Sequence, residues 1–366
     1  MHVMVWLIAM LTGTAALADD GQTPLSLAGP DASALPDVPT AEADDCPANG
    51  VKLRSFRLER ALADGFGVQY WGEDYSADGL AAQPHGLLIM EATRIGASYS
   101  DTGREVLFSP AEIAVISKGG SRPVLGYLNI GEVEDYRDYW IEQQASDRAA
   151  RWSGPVLPDG DHLAAYWTPE WQDLMMTRVD RLMRTGIDGL FLDDVLQYYS
   201  YVANPDLDWS HEARPAGPVT PAHLAQDMMK LVIAVTDRMR AWNCNAFVVV
   251  NNAVFIGRDA LSDPAQGDGS RLFDTYLSKI DAVMVENILG NPANDTTRQA
   301  VIEDFQNNGI AVLTLDVLSR HEGGDEDDTL RWKLGEESTR SGFKPYFADD
   351  DRFNRLSPPV RLLGKT

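Results

Sequence analysis

The chain has 366 residues, of which 44% are hydrophobic and 9% aromatic, enough apolar material for one large globular domain. Its formal net charge of −24 argues against a nucleic-acid-binding surface, which needs a basic stripe, and against docking on anionic lipid. An acidic surface attracts a cationic ligand, such as a polysaccharide with free amines, and it equally serves solubility or salt tolerance.

Residues 1–18 are predicted to be a cleaved signal peptide, so we expect a secreted or periplasmic protein. Residues 3–11 form the apolar segment, and Ala16-Leu17-Ala18 fits a small-x-small cleavage site. The apolar segment is too short to span a bilayer, so no membrane insertion is expected of the mature form. Residues 19–55 lack hydrophobic periodicity and are predicted to be a linker or loosely attached tail.

The chain contains only two cysteines, Cys46 and Cys244. An exported protein meets an oxidising compartment, so we expect a disulfide that ties the tail to the region just before the fifth strand. The alternative is a pair of unrelated buried thiols. No cysteine pair has the CxxC spacing of a zinc site.

From about residue 60 onward, short apolar runs alternate with amphipathic segments, and eight of the runs are predicted to be strands. Most of them are continuously apolar rather than alternating, which is typical of parallel strands that are buried on both faces. In chain order the predicted strands cover residues 66–71, 86–91, 123–132, 187–193, 247–252, 281–287, 310–316 and 345–349.

The segments between these strands carry recognisable helix starts. Ser109-Pro110-Ala111-Glu112 is a capping box with proline at the first helical position. Thr168-Pro169 opens a second helix, which ends at Gly186, and Thr220-Pro221 opens a third. The first connection is short and carries Gly and Pro, so no clear helix is predicted there. Shorter helices are predicted at about residues 297–307 and 328–339.

The alternation of strands and helices over residues 56–366 predicts an α/β fold, a single (β/α)8 TIM-type barrel behind an N-terminal tail. In such barrels the catalytic groups lie at the C-terminal ends of the strands. The side chains predicted to reach this rim are Trp71, Glu91, Glu132, Asp193, Asn252, Glu286 and Asp316.

Several acids on one rim, without a cluster of His or Cys, make the composition that glycoside hydrolysis needs. One carboxyl group protonates the leaving oxygen, and the other acts as a nucleophile or activates water. Proximity pushes the pKa values of the two groups apart, so that one stays protonated near neutral pH. Asp193 and Glu286 are the strongest candidates, because each ends an apolar strand where an unpaired charge is costly without a function.

The other polar residues keep structural alternatives. Asp188 begins its strand and is expected to be structural. Glu91 is a candidate to pair with an arginine, Asp316 to bond a neighbouring loop, and Asp194 to cap the helix that follows it. Aromatic residues near the rim either stack on sugar rings or pack in the core. The predicted substrate-binding residues are Glu132, Tyr127, Asp194, Tyr198, Asn252, Asp316 and Trp71.

Other classes of enzyme have little support in the sequence. There is no glycine-rich phosphate loop with a Walker lysine, no G-x-S-x-G elbow and no H-E-x-x-H pair. The acidic run at residues 322–328 has the oxygen ligands that calcium prefers, but it lacks the spacing of an EF-hand loop and is expected to be solvated. We therefore predict no metal and no cofactor.

Three motifs carry a resemblance to a known family. They are the run from Gly126 to Trp140 (GYLNIGEVEDYRDYW), the segment Trp167 to Gln172 (WTPEWQ) and the strand Gly186 to Asp194 (GIDGLFLDD). In this order they resemble glycoside hydrolase family 114, the endo-α-1,4-polygalactosaminidases, and best match the bacterial branch often mislabelled as related to cysteinyl-tRNA synthetase. The likeness covers about residues 62–350.

The resemblance implies a (β/α)8 barrel that cleaves galactosamine-containing exopolysaccharide with two carboxylates at the ends of the fourth and sixth strands. In this sequence those residues are Asp193, as nucleophile, and Glu286, as general acid/base. Members of the family often have Asn where this chain has Asp194, and commonly Gln-Asn where it has Asn251-Asn252.

The sequence thus predicts an exported, monomeric glycoside hydrolase that acts on a polysaccharide, with a cationic amino-sugar polymer as the candidate substrate. Two alternatives stay open. One is a glycan-binding barrel of the cell envelope that holds a polymer without cutting it, because a fold can keep its residues and change its function. The other is a hydrolase of a different polysaccharide. Retention or inversion of the anomeric centre follows from the distance between the two carboxyl groups.

Overall fold

A computed structural model describes residues 46, 50–72, 74–96, 99–100, 103–145, 151–156, 162–204, 214–263, 269–321 and 328–360. The predicted signal peptide, the tail up to residue 45 and the acidic stretch 322–327 lie outside the described residues. None of the helices within these ranges combines the length and the hydropathy needed to span a bilayer.

Eight parallel strands form one sheet in which spatial order follows chain order, as the sequence predicted. Each strand pairs in parallel with the next, and the first and last strands approach each other where the Tyr346 hydroxyl donates to the Val68 carbonyl at 3.4 Å. The sheet is thereby nearly closed into a barrel. The strands are β1 (Phe66–Gln69), β2 (Leu87–Met90), β3 (Val124–Asn129), β4 (Gly189–Asp193), β5 (Phe247–Asn251), β6 (Ala282–Glu286), β7 (Ala311–Val317) and β8 (Lys344–Ala348).

Helices occupy the connections between the strands, and the predicted capping signals are confirmed. Ser109 accepts from the backbone N–H of Glu112, whose side chain accepts from the Ser109 N–H, and Thr168 and Thr220 cap the helices that follow them. The helices are α1 (Gly50–Leu62), α2 (Ala77–Ala82), α3 (Pro110–Ile116), α4 (Asp138–Gln144), α5 (Pro169–Met183), α6 (Gln197–Ala203), α7 (Pro221–Trp242), α8 (Ile256–Ala260), α9 (Gly269–Lys279), α10 (Asp295–Asp304) and α11 (Asp328–Ser341).

Strand β3 ends three residues earlier than predicted, at Asn129 rather than at Glu132. The side-chain oxygen of Asn129 accepts the backbone N–H groups of Gly131 and Glu132, at 3.1 and 2.8 Å, and this local turn ends the ladder. Gly131 is required here, because a Cβ atom would lie 2.0 Å from the carbonyl oxygen of Asp194. Beyond the turn, Glu132–Val133 pairs antiparallel with His162–Ala164.

Helix α1 begins at Gly50, so the last residues of the predicted tail 19–55 belong to the folded part of the chain. The helix lies against the N-terminal ends of the strands, where Arg57 contacts Asp188 and Arg54 contacts Asp281. The predicted disulfide is confirmed just before this helix: Cys46 and Cys244 are bonded, with their Cα atoms 5.3 Å apart. The disulfide and the ion pairs attach Cys46 and α1 to the N-terminal ends of the strands, which we call the lower end of the barrel.

Successive side chains of each strand enter two separate apolar clusters, as the pleat of a strand requires. One cluster fills the barrel interior and the other lies between the sheet and the helices. The interior cluster includes Leu125, Tyr127, Phe191, Phe247, Val249, Met284, Leu313 and Leu315. The outer cluster includes Leu128, Leu190, Leu192, Val248, Val250, Val283, Val285 and Val312.

Candidate active site

Three polar side chains end three neighbouring strands and point into the barrel mouth. On β4, β5 and β6 the interior positions include Phe191, Val249 and Met284. Counting two residues further along each strand gives Asp193, Asn251 and Glu286. The predicted catalytic pair, Asp193 and Glu286, therefore stands on the interior face at the C-terminal end of the barrel.

Asn251 joins the two carboxylates through a single amide nitrogen. Its Nδ2 atom donates to Asp193 Oδ1 at 2.8 Å and to Glu286 Oε1 at 2.7 Å. The two carboxylate oxygens are thus separated by no more than the sum of these distances, about 5.5 Å. Asn251 is only 3% exposed, so the bridge is shielded from water.

Asp193 is surrounded by hydrogen-bond donors. Besides Asn251, the backbone N–H of Asp194 donates to its Oδ1 at 2.8 Å, and the Tyr127 hydroxyl also donates to the carboxylate. Burial raises the pKa of Asp193 above its ordinary value, while these three donors oppose the rise by stabilising the ionised form. The donors thus favour the ionised form of Asp193, whereas its burial, at 4% exposure, disfavours it.

Glu286 has an environment that favours its protonated form. Burial first, and then the charge of Asp193, raises its pKa to about 7, against bonds from Asn251 and Asn252 and the more distant charge of Arg320. A carboxylic acid with this pKa carries a proton for much of the time near neutral pH, which is what a general acid needs.

Tyrosine rings form a wall beside the pair. Tyr70, which follows β1, and Tyr127 on β3 contact each other with ring centroids 4.8 Å apart. Burial raises the pKa of both hydroxyls well above 10, and the negative charge of Asp193 adds to the rise at each. These phenols stay protonated and can only act as hydrogen-bonding and packing groups.

A second pair of carboxyl groups lies next to Asp193. Asp194 accepts from Asn129 Nδ2 at 2.5 Å and shares a hydrogen bond with Glu132, which also accepts from the Gln197 amide. Burial, followed by the charges of Glu132 and Asp193, raises the pKa of Asp194 well above its ordinary value. The predicted residues Glu132 and Asp194 are thus brought together with the candidate catalytic pair, in surroundings that favour the protonated form of Asp194.

The turns after β4, β5 and β6 share one backbone conformation. The residue that follows each strand, Asp194, Asn252 or Asn287, has a left-handed conformation with φ of 55°, 62° and 49°. The Asn252 side chain accepts the N–H of Glu286, and the Asn287 side chain accepts the N–H of Val317. Asn252, predicted to bind substrate, therefore supports the backbone of the next strand, while its neighbour Asn251 enters the site.

An ion cluster lies behind the tyrosine wall. The fully buried Arg137 contacts Glu91 at 2.6 Å, Glu134 at 2.8 Å and Glu105 at 3.0 Å. Arg178 binds both oxygens of Glu105. The expectation that Glu91 pairs with an arginine is confirmed, and so is the structural role of Asp188, which binds Arg57 and the Val124 N–H.

Two predicted substrate residues are corrected by the structure. Tyr198 is fully buried in the outer cluster, and its hydroxyl donates to Asp259 at 2.7 Å, so the ring does not face the mouth. Asp316 is also fully buried, because it lies on the outer face of β7, where it accepts the Leu289 N–H. Its interior neighbours on that strand are Leu315 and Val317.

Trp71 is 53% exposed on the opposite side of β1 from Tyr70, and its indole N–H donates to the Arg352 carbonyl at 2.8 Å. Sequence reasoning placed Trp71 on the rim but did not single out Asn251 or Tyr70. Strand alternation was the signal that could have found both residues, because each continues the interior face of its strand by two positions. Within the described residues, no group of three His, Cys, Asp or Glu side chains is arranged to hold a metal ion.

Comparison with known proteins supplies the family. The profile of the glycoside hydrolase family GH114 matches residues 104–351. Among curated proteins, the uncharacterized protein MJ1477 of Methanocaldococcus jannaschii is 24% identical over 273 residues, which is 71% of this chain and 70% of that protein. An uncharacterized protein of Thermotoga maritima is 26% identical over 267 residues, 69% of this chain and 73% of the relative.

Two solved structures share the fold. Ega3 of Aspergillus fumigatus, crystallised in complex with galactosamine, has a TM-score of 0.52 and 14% identity over 81% of this chain and 96% of its own. The glycoside hydrolase domain of PelA from Pseudomonas aeruginosa has a TM-score of 0.52 and 13% identity over 81% of this chain and 98% of its own. At these identities the likeness establishes the barrel architecture.

Proposed function

The chain belongs to glycoside hydrolase family GH114 and is a glycoside hydrolase, and we propose that it cleaves internal α-1,4 linkages of a galactosamine-containing exopolysaccharide. Asp193 is the nucleophile and Glu286 the general acid/base. The observation that carries this proposal is the Asn251 bridge, which holds the two carboxylates together at the mouth of the barrel.

The short separation supports a retaining mechanism. Retaining glycosidases keep their carboxyl groups about 5 Å apart, whereas inverting enzymes need about 6.5–9.5 Å to admit a water molecule. The two oxygens that Asn251 bridges, Asp193 Oδ1 and Glu286 Oε1, lie no more than about 5.5 Å apart, and this closeness is compatible with the first class.

The reaction then has two steps. In the first, protonated Glu286 gives its proton to the glycosidic oxygen while Asp193 attacks the anomeric carbon, so the leaving chain departs and a glycosyl ester forms. In the second, ionised Glu286 removes a proton from water, which attacks the same carbon and releases Asp193. The donors around Asp193 suit the ionised nucleophile, and the pKa of about 7 suits a residue that alternates between acid and base.

The preference for an amino sugar rests on two lines of support. The resemblance to the endo-α-1,4-polygalactosaminidases indicates the sugar, and Ega3, which shares the fold, was crystallised with galactosamine. The acidic side chains at the mouth, together with a net charge of −24, would attract a polymer that carries free ammonium groups. Such binding would weaken at high salt, whereas binding of a neutral glycan would not.

We also propose that the protein is exported and acts as a monomer in the periplasm or outside the cell. The disulfide between Cys46 and Cys244 supports export, because disulfides persist in oxidising compartments. The predicted signal peptide at residues 1–18 precedes the described part of the chain. N-terminal sequencing of the periplasmic or secreted protein would test the cleavage after Ala18.

The test of the activity is release of reducing ends from partly deacetylated α-1,4-galactosamine polymer. The native chain is expected to cleave it, and Glu286→Gln to lose about 10²–10⁴-fold in rate, the usual contribution of a general acid/base. Glu142→Gln is the matched control, because Glu142 is 70% exposed on α4. NMR of the first product is expected to detect the α-anomer, as retention requires.

The alternatives predict other outcomes. Binding of the polymer by both the native chain and Glu286→Gln, without cleavage by either, would favour a glycan-binding barrel. Neither cleavage nor binding would contradict the galactosamine assignment and direct the search to another envelope polysaccharide. Cleavage that survives in Glu286→Gln would contradict the role of Glu286.

A further inference from the structure

An open groove lies on the outer side of the barrel rim, between the segment after β1 and the segment after β8. It has a volume of about 440 Å³, within the usual size range of ligand sites. Trp71 and Asp74 line it on one side, and Arg352, Asn354 and Arg355 on the other. None of these residues belongs to the catalytic constellation.

One layer of chain separates the groove from the catalytic pair. Tyr70 faces the barrel interior, where Asp193 and Glu286 lie, and the next residue, Trp71, faces outward. The segment after β8 is arranged in the same way: Phe353 packs on the Tyr70 ring with centroids 5.6 Å apart, while its two neighbours line the groove. The groove therefore lies on the outer side of the same two segments whose inner side bounds the active site.

Trp71 is held as a fixed, half-exposed platform. Its indole N–H donates to the Arg352 carbonyl at 2.8 Å, which fixes the ring, yet 53% of the residue stays accessible. The two segments are also in direct contact, because a Cβ at Gly72 would lie 1.9 Å from the Asn354 carbonyl oxygen. A rigid aromatic ring gives a large contact area at little cost in conformational entropy.

The polar groups of the groove suit a sugar with hydroxyl or amine groups. Arg352 is paired with Asp350, and Arg355 lies 3.3 Å from Asp349, so both guanidinium charges are offset. Asp74 is exposed and lines the groove, and its carboxylate can accept hydrogen bonds from hydroxyl or ammonium groups.

We propose that this groove is a distal glycan subsite that binds one neutral or amine-bearing sugar unit of the polymer, with its ring stacked on Trp71. The inference rests on the proposed function, since it assigns the groove to the same substrate. The subsite contributes to the binding of long chains that run from the catalytic mouth over the rim. Short oligosaccharides that fill only the mouth do not reach it.

The test measures polymer affinity in the Glu286→Gln background, so that binding is separated from cleavage. Trp71→Ala is expected to weaken the binding of long α-1,4-galactosamine polymer about tenfold and to leave the binding of a disaccharide unchanged. Trp71→Phe, which keeps a ring but loses the N–H, is expected to retain most of the affinity. Trp332→Ala is the matched control, because Trp332 is 65% exposed on α11.

In the active protein, Trp71→Ala should raise KM for the polymer about tenfold with kcat unchanged. Equal polymer affinities for Trp71→Ala and Trp332→Ala would overturn the proposal, and so would an equal loss for polymer and disaccharide. If Trp71→Ala does not fold, polymer binding by Trp71→Phe decides, since a loss as large as tenfold there would show that the ring is not the platform. Failure of the native chain to cleave or bind the polymer would instead contradict the proposed function.

Discussion

Strands β4 and β6 are each preceded by an aspartate and each end in an acid, and the two ends differ in what faces those carboxyl groups. At the lower end, Asp188 contacts Arg57, and Asp281 contacts Arg54 and Arg240. At the upper end, Asp193 and Glu286 share the amide of Asn251 instead of an arginine. All four residues are carboxylic acids, so the hydrogen-bond partner decides whether a carboxylate stabilises the fold or stays available for catalysis.

The difference has an energetic consequence. A buried carboxylate with an arginine partner is stabilised as an anion, and removing it leaves the arginine buried and uncompensated. A buried carboxylate held only by neutral donors destabilises the fold when it ionises, because desolvation exceeds what those donors return. Glu286, whose pKa burial raises to about 7, is a carboxyl group of the second kind. At the lower end burial also raises the pKa of Asp188, despite its bond to Arg57, so the contrast is clearest for Asp281 and its two arginines.

The sharpest way to break the comparison is to neutralise one acid at each end. Asp281→Asn leaves Arg54 and Arg240, whose side chains are 5% and 7% exposed, without their carboxylate. We expect the free energy of unfolding to fall by about 3–5 kcal/mol. Asp193→Asn should keep or slightly raise stability while it abolishes activity.

Urea unfolding of the two variants and the native chain, at one pH and salt concentration, measures this contrast. Equal destabilisation by Asp193→Asn and Asp281→Asn would contradict it, because both ends would then be structural. Full stability of Asp281→Asn would mean that the arginines find other partners.

The pH dependence of stability gives the second test. Below about pH 4.5 Glu286 is protonated in both the folded and the unfolded chain, so it contributes no pH dependence. Between pH 4.5 and about 7 the folded chain binds more protons, so the free energy of unfolding must fall as the pH rises. Above pH 7 the loss is complete and amounts to roughly 3 kcal/mol at most.

Thermal unfolding of the native chain and of Glu286→Gln across pH 4–8 isolates this contribution. The difference between the two stability curves should grow through the window and then level off. A constant difference across the window would show that the folded pKa of Glu286 is not raised.

The bridge itself is the third target. Asn251→Ala removes a donor from both carboxylates, so the pKa values of Asp193 and Glu286 should rise together, and both limbs of the pH–rate profile should move to higher pH. We expect kcat/KM at the optimum to fall about ten- to hundredfold, the value of a hydrogen bond to a charged group. Asn251→Gln keeps the amide and should restore part of the rate and of the profile.

Other charged and titratable groups interact with the pair and stay in place in these variants. They are Tyr70, Tyr127, Glu134, Asp194 and Arg320. Because these groups do not change, a shift of both limbs of the pH–rate profile can be attributed to the loss of the Asn251 amide. A loss of rate with unmoved limbs would mean that Asn251 only supports the fold.

Much of this architecture could be predicted from the sequence, because continuous apolar runs indicate buried parallel strands and all eight were located within three residues at either end. The prediction was less accurate about which side chains face the barrel interior. Asn252 and Asp316 were assigned to the mouth because they end apolar runs, whereas strand alternation places their neighbours Asn251 and Leu315 on the interior face. Where a strand ends depends on local turns. The turn at Asn129, which shortens β3, has no signal in hydropathy.

Long-range partners were equally out of reach. Glu91 and Glu105 reach Arg137 from positions 46 and 32 residues earlier in the chain, and no spacing in the sequence connects them, whereas Glu134 is a local partner three residues before Arg137. The separation of Asp193 and Glu286 likewise depends on how far the β5 amide reaches between them. The candidate pair could be named from the sequence, whereas the distance that favours retention could not.

The smallest expected effect concerns Tyr198, which lies in the outer cluster behind the sheet rather than in the barrel mouth. Its hydroxyl donates to Asp259 on α8, behind the sheet, and its ring packs in the outer cluster. Tyr198→Phe should lower the free energy of unfolding by about 1–2 kcal/mol, because Asp259 loses a buried donor. It should leave kcat/KM unchanged, since the residue contacts neither Asp193 nor Glu286 through any described bond. A marked loss of activity at unchanged stability would return Tyr198 to the substrate site.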